Sequence, residues 1–258
     1  MRCLRSLFVM SVALCSATTS IGADPVSAVD KKASNEMAPA TKGPGDPATR
    51  VADTLEQRVA ACSMCHGKQG EGLRRNEYFP RLAGKPAVYL YNQLLNYRDR
   101  RRTFPIMGYM VGFLSDAYLY EIAEYFSNLR PAFPPPSVRA KPEVLARGQR
   151  LVIDGDPARK LPACAACHGT LLTGLEPAIP SLVGLYSDYI AAQMGAWKND
   201  KRHGMAPDCM HDVATLLTPD DIAAISAWLV SQPAPADARP APAGSLTLPL
   251  ECGGLVKK

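Results

Sequence analysis

The chain has 258 residues, eight cysteines and a formal charge of +5 from 29 lysines and arginines against 24 acids. That length suits two ordinary domains rather than one large core. The charge falls to +3 once Arg2 and Arg5 leave with a leader, too small an excess to carry a nucleic-acid reading.

In chain order, the basic head Met1-Arg2-Cys3-Leu4-Arg5, the apolar run Leu7 to Cys15 and small residues to Ala23 form a secretory signal over residues 1–23. The run is too short to span a bilayer comfortably. Cleavage after Ala23 is expected although Ile21 fits the small-residue rule poorly, and Leu14 weighs against a lipoprotein reading through Cys15. Export places the mature chain in the periplasm with six of its eight cysteines. Residues 24–50, rich in Ala, Pro, Gly, Ser, Thr and Lys, read as a disordered extension.

The first domain is expected over residues 51–130. A helix from about Asp53 to Cys65 leads into Cys62-Ser-Met-Cys65-His66-Gly67. Two thiols three residues apart on a helical turn can each bond one vinyl group of the same porphyrin, and the adjacent histidine then reaches the iron. Cys-x-x-Cys is also a thiol-redox motif or half of a zinc site. Zinc would need a second cysteine or histidine pair for each site, thiol-redox chemistry does not require the following histidine, and the pattern returns as Cys164-Ala-Ala-Cys167-His168-Gly169. Two covalently attached haem c groups are therefore expected, with His66 and His168 as proximal ligands.

Further along, Val88 to Arg98 carries Tyr89, Leu90, Gln93, Leu94 and Tyr97 at helical spacing, its aromatic residues read as core packing. The basic cluster Arg98, Arg100, Arg101 and Arg102 is a solvated helix end, a face for an acidic redox partner, or a cradle for a haem propionate. Ser115 starts the last helix of this half, which ends near Leu129. Pro131 to Pro142 cannot continue a helix and forms an extended linker.

The second domain, residues 143–232, repeats the plan: a helix over Glu143 to Ile153, an inserted Gly-Asp-Pro loop before Cys164, a helix over Tyr189 to Lys198, and a last one from Thr218 to Ser231. Thr218-Pro-Asp-Asp221 supplies an N-cap, a proline at the first helical position and an acid three residues on. No strand pattern appears. The Pro/Ala-rich tail, residues 233–258, carries Cys252, which pairs with Cys209 or leaves two free thiols. A disulfide closing a loop of this length stabilises by about 4 kcal/mol.

The halves correspond at a nearly constant offset, the sign of a tandem duplication. Pro80, Leu82, Gly84, Tyr89, Gln93, Tyr97 and Arg102 recur as Pro180, Leu182, Gly184, Tyr189, Gln193, Trp197 and Arg202, all 100 residues on. Met107, Leu114, Ile122 and Tyr125 align with Met210, Leu217, Ile225 and Trp228 at an offset of 103. Their equivalence makes Met107 and Met210 the candidate sixth ligands, with Met110 the rival in the first half and Met205 or His211 in the second. A thioether ligand favours ferrous iron and raises the reduction potential.

Together, Cys62-x-x-Cys65-His66, Pro80-Arg-Leu-Ala-Gly84, Met107, Leu114-Ser-Asp116, Pro162-Ala-Cys164-x-x-Cys167-His168, Ile179-Pro-Ser-Leu-x-Gly184, Cys209-Met210-His211 and Leu217-Thr-Pro-Asp220 make the chain resemble a tandem dihaem class I cytochrome c of the cytochrome c4 family, over residues 52–232. The resemblance implies an all-α fold of two class I cytochrome c domains, each a small helical bundle around one covalent haem c. It also implies a proline carbonyl bonded to each proximal histidine, at Pro80 and Pro180.

The function so implied is periplasmic carriage of single electrons. The donor would be a dehydrogenase or quinol-oxidising complex and the acceptor a terminal oxidase or reductase, with peripheral docking to a membrane complex. The rivals are a permanently bound dehydrogenase subunit and a dihaem peroxidase or sulfur-compound dehydrogenase with one open haem; no histidine or carboxylate recurs as a dedicated catalytic acid or base, which leaves only Glu77 or His203 open for that role. Oligomeric state is not legible.

Overall fold

The computed structural model describes residues 54–74 and 76–255, all within one compact unit, Val51–Lys258. The expected signal peptide, the 24–50 extension and the helix start at Asp53 lie outside the described residues.

The N-terminal half contributes α1 (Leu55–His66), α2 (Ala87–Arg98), α3 (Pro105–Val111) and α4 (Asp116–Asn128). The C-terminal half contributes α5 (Pro142–Ile153), α6 (Cys164–His168), α7 (Ser187–Lys198), α8 (Cys209–Leu216) and α9 (Pro219–Ser231). Short 3₁₀ turns cover Pro157–Arg159 and Gly253–Leu255. Among the described residues there are isolated bridges but no strand.

Side-chain caps set several of these boundaries. Thr54 accepts from the Gln57 amide and Ser115 from the Tyr118 amide. At α9, Thr218 and Asp221 form a reciprocal capping box behind Pro219 at the first position.

The sequence predicts three helices per half, and the structure adds α6 over the second Cys-x-x-Cys-His motif and, in the methionine segments, α3 and α8. The last two have seven and eight residues, too short for a legible apolar period. Pro105 starts the first, and Asp208, accepting from the His211 amide, starts the second. The inserted loop before Cys164 is the 3₁₀ turn, capped by Asp156.

In the first half α4 packs on α2 and α1 around Val59, Leu90, Ile122, Ala123 and Phe126. In the second, α9 packs on α5 and α7 around Leu151, Val152, Tyr189, Ile190, Ile225 and Leu229. Gly148 makes the α5–α9 crossing, since a Cβ there would collide with the Ala224 carbonyl oxygen.

Residues 131–141 have no helix or strand and are docked, while Pro142, expected as the last linker residue, instead opens α5 behind its N-cap Lys141. Arg81 donates to the carbonyls of Pro131 and Ala132 and stacks over Phe133, 4.1 Å from the ring centroid. The Ser137 amide bonds the Val230 carbonyl.

Candidate haem-attachment and ligand sites

Both Cys-x-x-Cys-His motifs close a helix and turn into a glycine with φ of 88° (Gly67) and 85° (Gly169), backbone that favours a residue without Cβ. The chain then folds back on itself. The Gly72 amide bonds the His66 carbonyl at 2.7 Å, and the Gly174 amide bonds the His168 carbonyl at 2.9 Å. A Cβ at Gly72 would lie 2.5 Å from the Arg81 nitrogen, and one at Gly174 2.5 Å from the Ile179 oxygen, so both glycines permit a close approach. That approach brings the proline segments under the histidines.

His66 Nδ1 donates to the Pro80 carbonyl at 3.0 Å, and His168 Nδ1 to the Pro180 carbonyl at 2.8 Å. The bond selects the tautomer whose Nε2 keeps its lone pair for a metal. Burial favours the neutral ring further: it lowers His66 and pushes His168 down to about 4 despite the proline carbonyl.

The motif cysteines are unpaired. Burial raises the Cys62 and Cys167 thiols and pushes Cys164 up to about 12. A thiol-redox pair needs the opposite shift, because the thiolate is the nucleophile. Among the described residues the one cluster of three or more His, Cys, Asp or Glu able to hold a metal ion is Asp200, His203 and His211, with no motif cysteine in it. Both competing readings of Cys-x-x-Cys therefore lose ground.

In the second half one cavity brings together Cys164, Cys167, His168, Pro180, Met205 and Met210, walled by apolar groups that include Leu185, Ile190, Leu217 and Leu229. His211 turns instead toward His203, the two ring centroids 5.8 Å apart. In the first half Cys62 packs on the Val59 cluster. Met107 packs in the adjoining Leu95, Val111, Leu119 cluster, which shares Tyr91, Leu94 and Leu114 with it. Met110 is 39% exposed beside Tyr109 and Phe113 at 78% and 96%, so it faces out of this core.

The basic cluster splits. Arg98 pairs with Asp99 and Asp116, and Arg101 with Asp99, at the surface. Arg102 is buried at the boundary between the halves, where it forms an antiparallel bridge with its repeat partner Arg202.

Each guanidinium reaches across that boundary. Arg102 donates to Gln193 at 2.6 Å and the Tyr189 hydroxyl at 3.3 Å; Arg202 donates to Gln93 at 3.1 Å and the Tyr89 hydroxyl at 3.3 Å. Arg102 lies over Tyr97 and Arg202 over Trp197. The aromatic residues of α2 and α7, read from sequence as core packing, thus also build an interface together with Gln93 and Gln193. The recurrence of Tyr89, Gln93 and Arg102 as Tyr189, Gln193 and Arg202, 100 residues on, was the signal that could have found it.

Lys85, 4% exposed, crosses the same boundary to donate to the Ser181 carbonyl at 3.0 Å, and burial pushes its ammonium down to about 8. Among the described residues no ion pair includes Lys85, Arg102 or Arg202. Buried cations without buried anions are costly. Lys85 and Arg202 line the apolar cavity. Such a cavity, with cations at one edge and a cysteine pair and a tautomer-fixed histidine inside, fits an apolar macrocycle bearing carboxylates.

The tail closes this cavity. Cys209 and Cys252 form a disulfide, the pairing expected over two free thiols. Leu250, Cys252 and Leu255 join the lining, and Asn92 of α2 donates to the Gly254 carbonyl at 2.7 Å.

Residues 145–233 match the family model described as cytochrome c. The chain is 38% identical over 175 residues to the thiosulfate dehydrogenase electron acceptor of Thiomonas intermedia (strain K12), covering 68% of this chain and 80% of that one. It is 32% identical to cytochrome c4 of Pseudomonas aeruginosa, covering 67% of this chain and 85% of the relative. Among solved structures, reduced recombinant cytochrome c4 from Pseudomonas stutzeri superposes with a TM-score of 0.59 at 29% identity, covering 68% of this chain and 95% of that one.

Proposed function

Since the chain belongs to the cytochrome c4 family of dihaem electron carriers with covalently attached haem c, we propose that it works in the periplasm through two His/Met-ligated haems. Its donor would be a dehydrogenase or quinol-oxidising complex and its acceptor an oxidase or reductase. Bound haem supplies the reversible one-electron chemistry. The chain's own residues attach it, orient its ligands and keep water from it.

In this reading Cys62, Cys65, Cys164 and Cys167 carry the thioether bonds, His66 and His168 are the proximal ligands, and Met107 and Met210 are the sixth ligands. The observation that carries it is the repeated bond from histidine Nδ1 to a proline carbonyl, at 3.0 and 2.8 Å. Met210 is supported by its place on the cavity wall and Met107 by its inward packing; Met205, on the same wall, also packs against the first half's Leu95 cluster. Arg102, Arg202 and Lys85 are proposed to receive haem carboxylates.

A second reading, a cytochrome held permanently by its donor, is favoured by the relative named for accepting electrons from thiosulfate dehydrogenase. The donor proposed on that basis is a dehydrogenase of reduced sulfur compounds.

The test is a visible spectrum of the haem-loaded protein with carbon monoxide added after reduction. Two low-spin haems that ignore carbon monoxide are expected. Met210→Ala should open the second haem to it while Met205→Leu should not, and rapid binding by the unmodified protein would favour an enzyme instead. Recovery of the native chain with or without a stoichiometric dehydrogenase separates subunit from carrier.

A further inference from the structure

Asp200, His203 and His211 lie on the loop and first turn that lead into and past Met210, and each offers a ligand atom within 4.8 Å of the others. His203 Nε2 stands 3.9 Å from Asp200 Oδ1. Asp208 organises the loop between them: it accepts from the amides of Gly204 (2.6 Å) and His211 (3.2 Å) and from Trp197 Nε1 (3.2 Å). The His203 amide bonds the Arg101 carbonyl of the other half at 2.6 Å, which fixes the far end.

A separate observation points the same way. His211 Nδ1 is shut off from water and has no hydrogen-bond partner. A buried polar nitrogen left so is costly, and a bound ion is one of the few things that would satisfy it. Haem ligation does not use this ring, because it turns toward His203 rather than into the cavity. The duplication sharpens the point: the positions equivalent to Asp200, His203 and His211 in the first half are Arg100, Thr103 and Gly108, none of which makes the set. The second half alone gained two imidazoles and a carboxylate at one place.

We propose that Asp200, His203 and His211 form a site for a borderline divalent transition metal, zinc in the first instance, that braces the loop ahead of Met210 against α8. Two imidazoles and one carboxylate suit zinc, with water completing the shell. Ligand atoms in a tetrahedral zinc shell lie about 3.3 Å apart, so the 3.9 Å between His203 Nε2 and Asp200 Oδ1 shortens on binding.

The experiment uses the full haem-loaded chain, cleared of metal by a chelator and titrated with zinc by calorimetry and thermal unfolding. One zinc per chain is expected, with unfolding raised by about 5–10 °C at a hundredfold excess over Kd. Asp200→Asn and His203→Gln, both at partly or fully exposed positions, should each weaken binding at least tenfold while keeping two haems. Absence of saturable binding, or equal affinity in the parent and both variants, overturns the proposal.

Discussion

Asp221 shows how one residue does several jobs. Its carboxylate is fully covered, yet it accepts from Arg147 (2.7 and 3.0 Å), Arg159 (2.7 Å) and the Thr218 amide (2.9 Å). Burial opposes ionisation, and these donors outweigh it, holding the group well below the usual carboxylate range. A depressed folded pKa means stability that is present above the unfolded value of about 4 and lost as pH falls through the folded one. Because both arginine side chains remain partly exposed, at 45% and 32%, the lower end of the buried-pair range applies. Asp221→Ala is expected to cost about 3 kcal/mol at pH 7 in urea unfolding, with the gap to the parent narrowing below pH 4. Threonine, proline and the acid at this helix start were readable as a cap; the two arginines, 74 and 62 residues away, were not.

At the scale of elements, two glycines in helices should respond in opposite directions. Alanine ordinarily favours a helix over glycine by about 1 kcal/mol. Gly195 in α7 has open space where a methyl group would go, with nothing within 4 Å, so Gly195→Ala should raise the melting temperature slightly. Gly148 in α5 faces backbone of α9, which cannot give way as a flexible side chain would, so Gly148→Ala should lower stability by about 1–3 kcal/mol. Paired thermal melts of the two variants check this. The tail is a third element with a definite consequence. Its disulfide spans 43 residues and should contribute about 4 kcal/mol. Cys252→Ala should therefore lower the melting temperature and increase solvent access to the cavity whose wall includes Leu250 and Leu255, read by faster hydrogen exchange of the amides around it.

For the whole molecule, the reciprocal arginines decide how the duplicated halves meet. Each inserts into the other half's tyrosine and glutamine pair, and the bridge between residues 102 and 202 is flanked by Thr103 to Lys201 and His203 to Arg101 backbone bonds. Pairs of this kind are non-additive, because losing one guanidinium strands the polar groups it served. The double variant Arg102→Gln/Arg202→Gln should loosen the halves and speed proteolytic cleavage in residues 131–142, while each half keeps its haem. Unchanged cleavage would mean that Lys85, the docked linker and the tail suffice.

The sequence by itself determined the haem motifs, the duplication, the long helices and their caps, because these depend on short spacing along one chain: two thiols on one turn, a period of 3.6, a hydroxyl one residue before a helix. Tertiary structure alone decided that the swapped Arg102 and Arg202 join the halves and that Cys252 reaches Cys209. It also decided that Met107 turns inward while Met110 faces out, and that His211 meets His203 rather than the cavity. Each of these depends on residues far apart in sequence or on the facing of a helix of seven or eight residues, and packing sets both where periodicity is too short to do so.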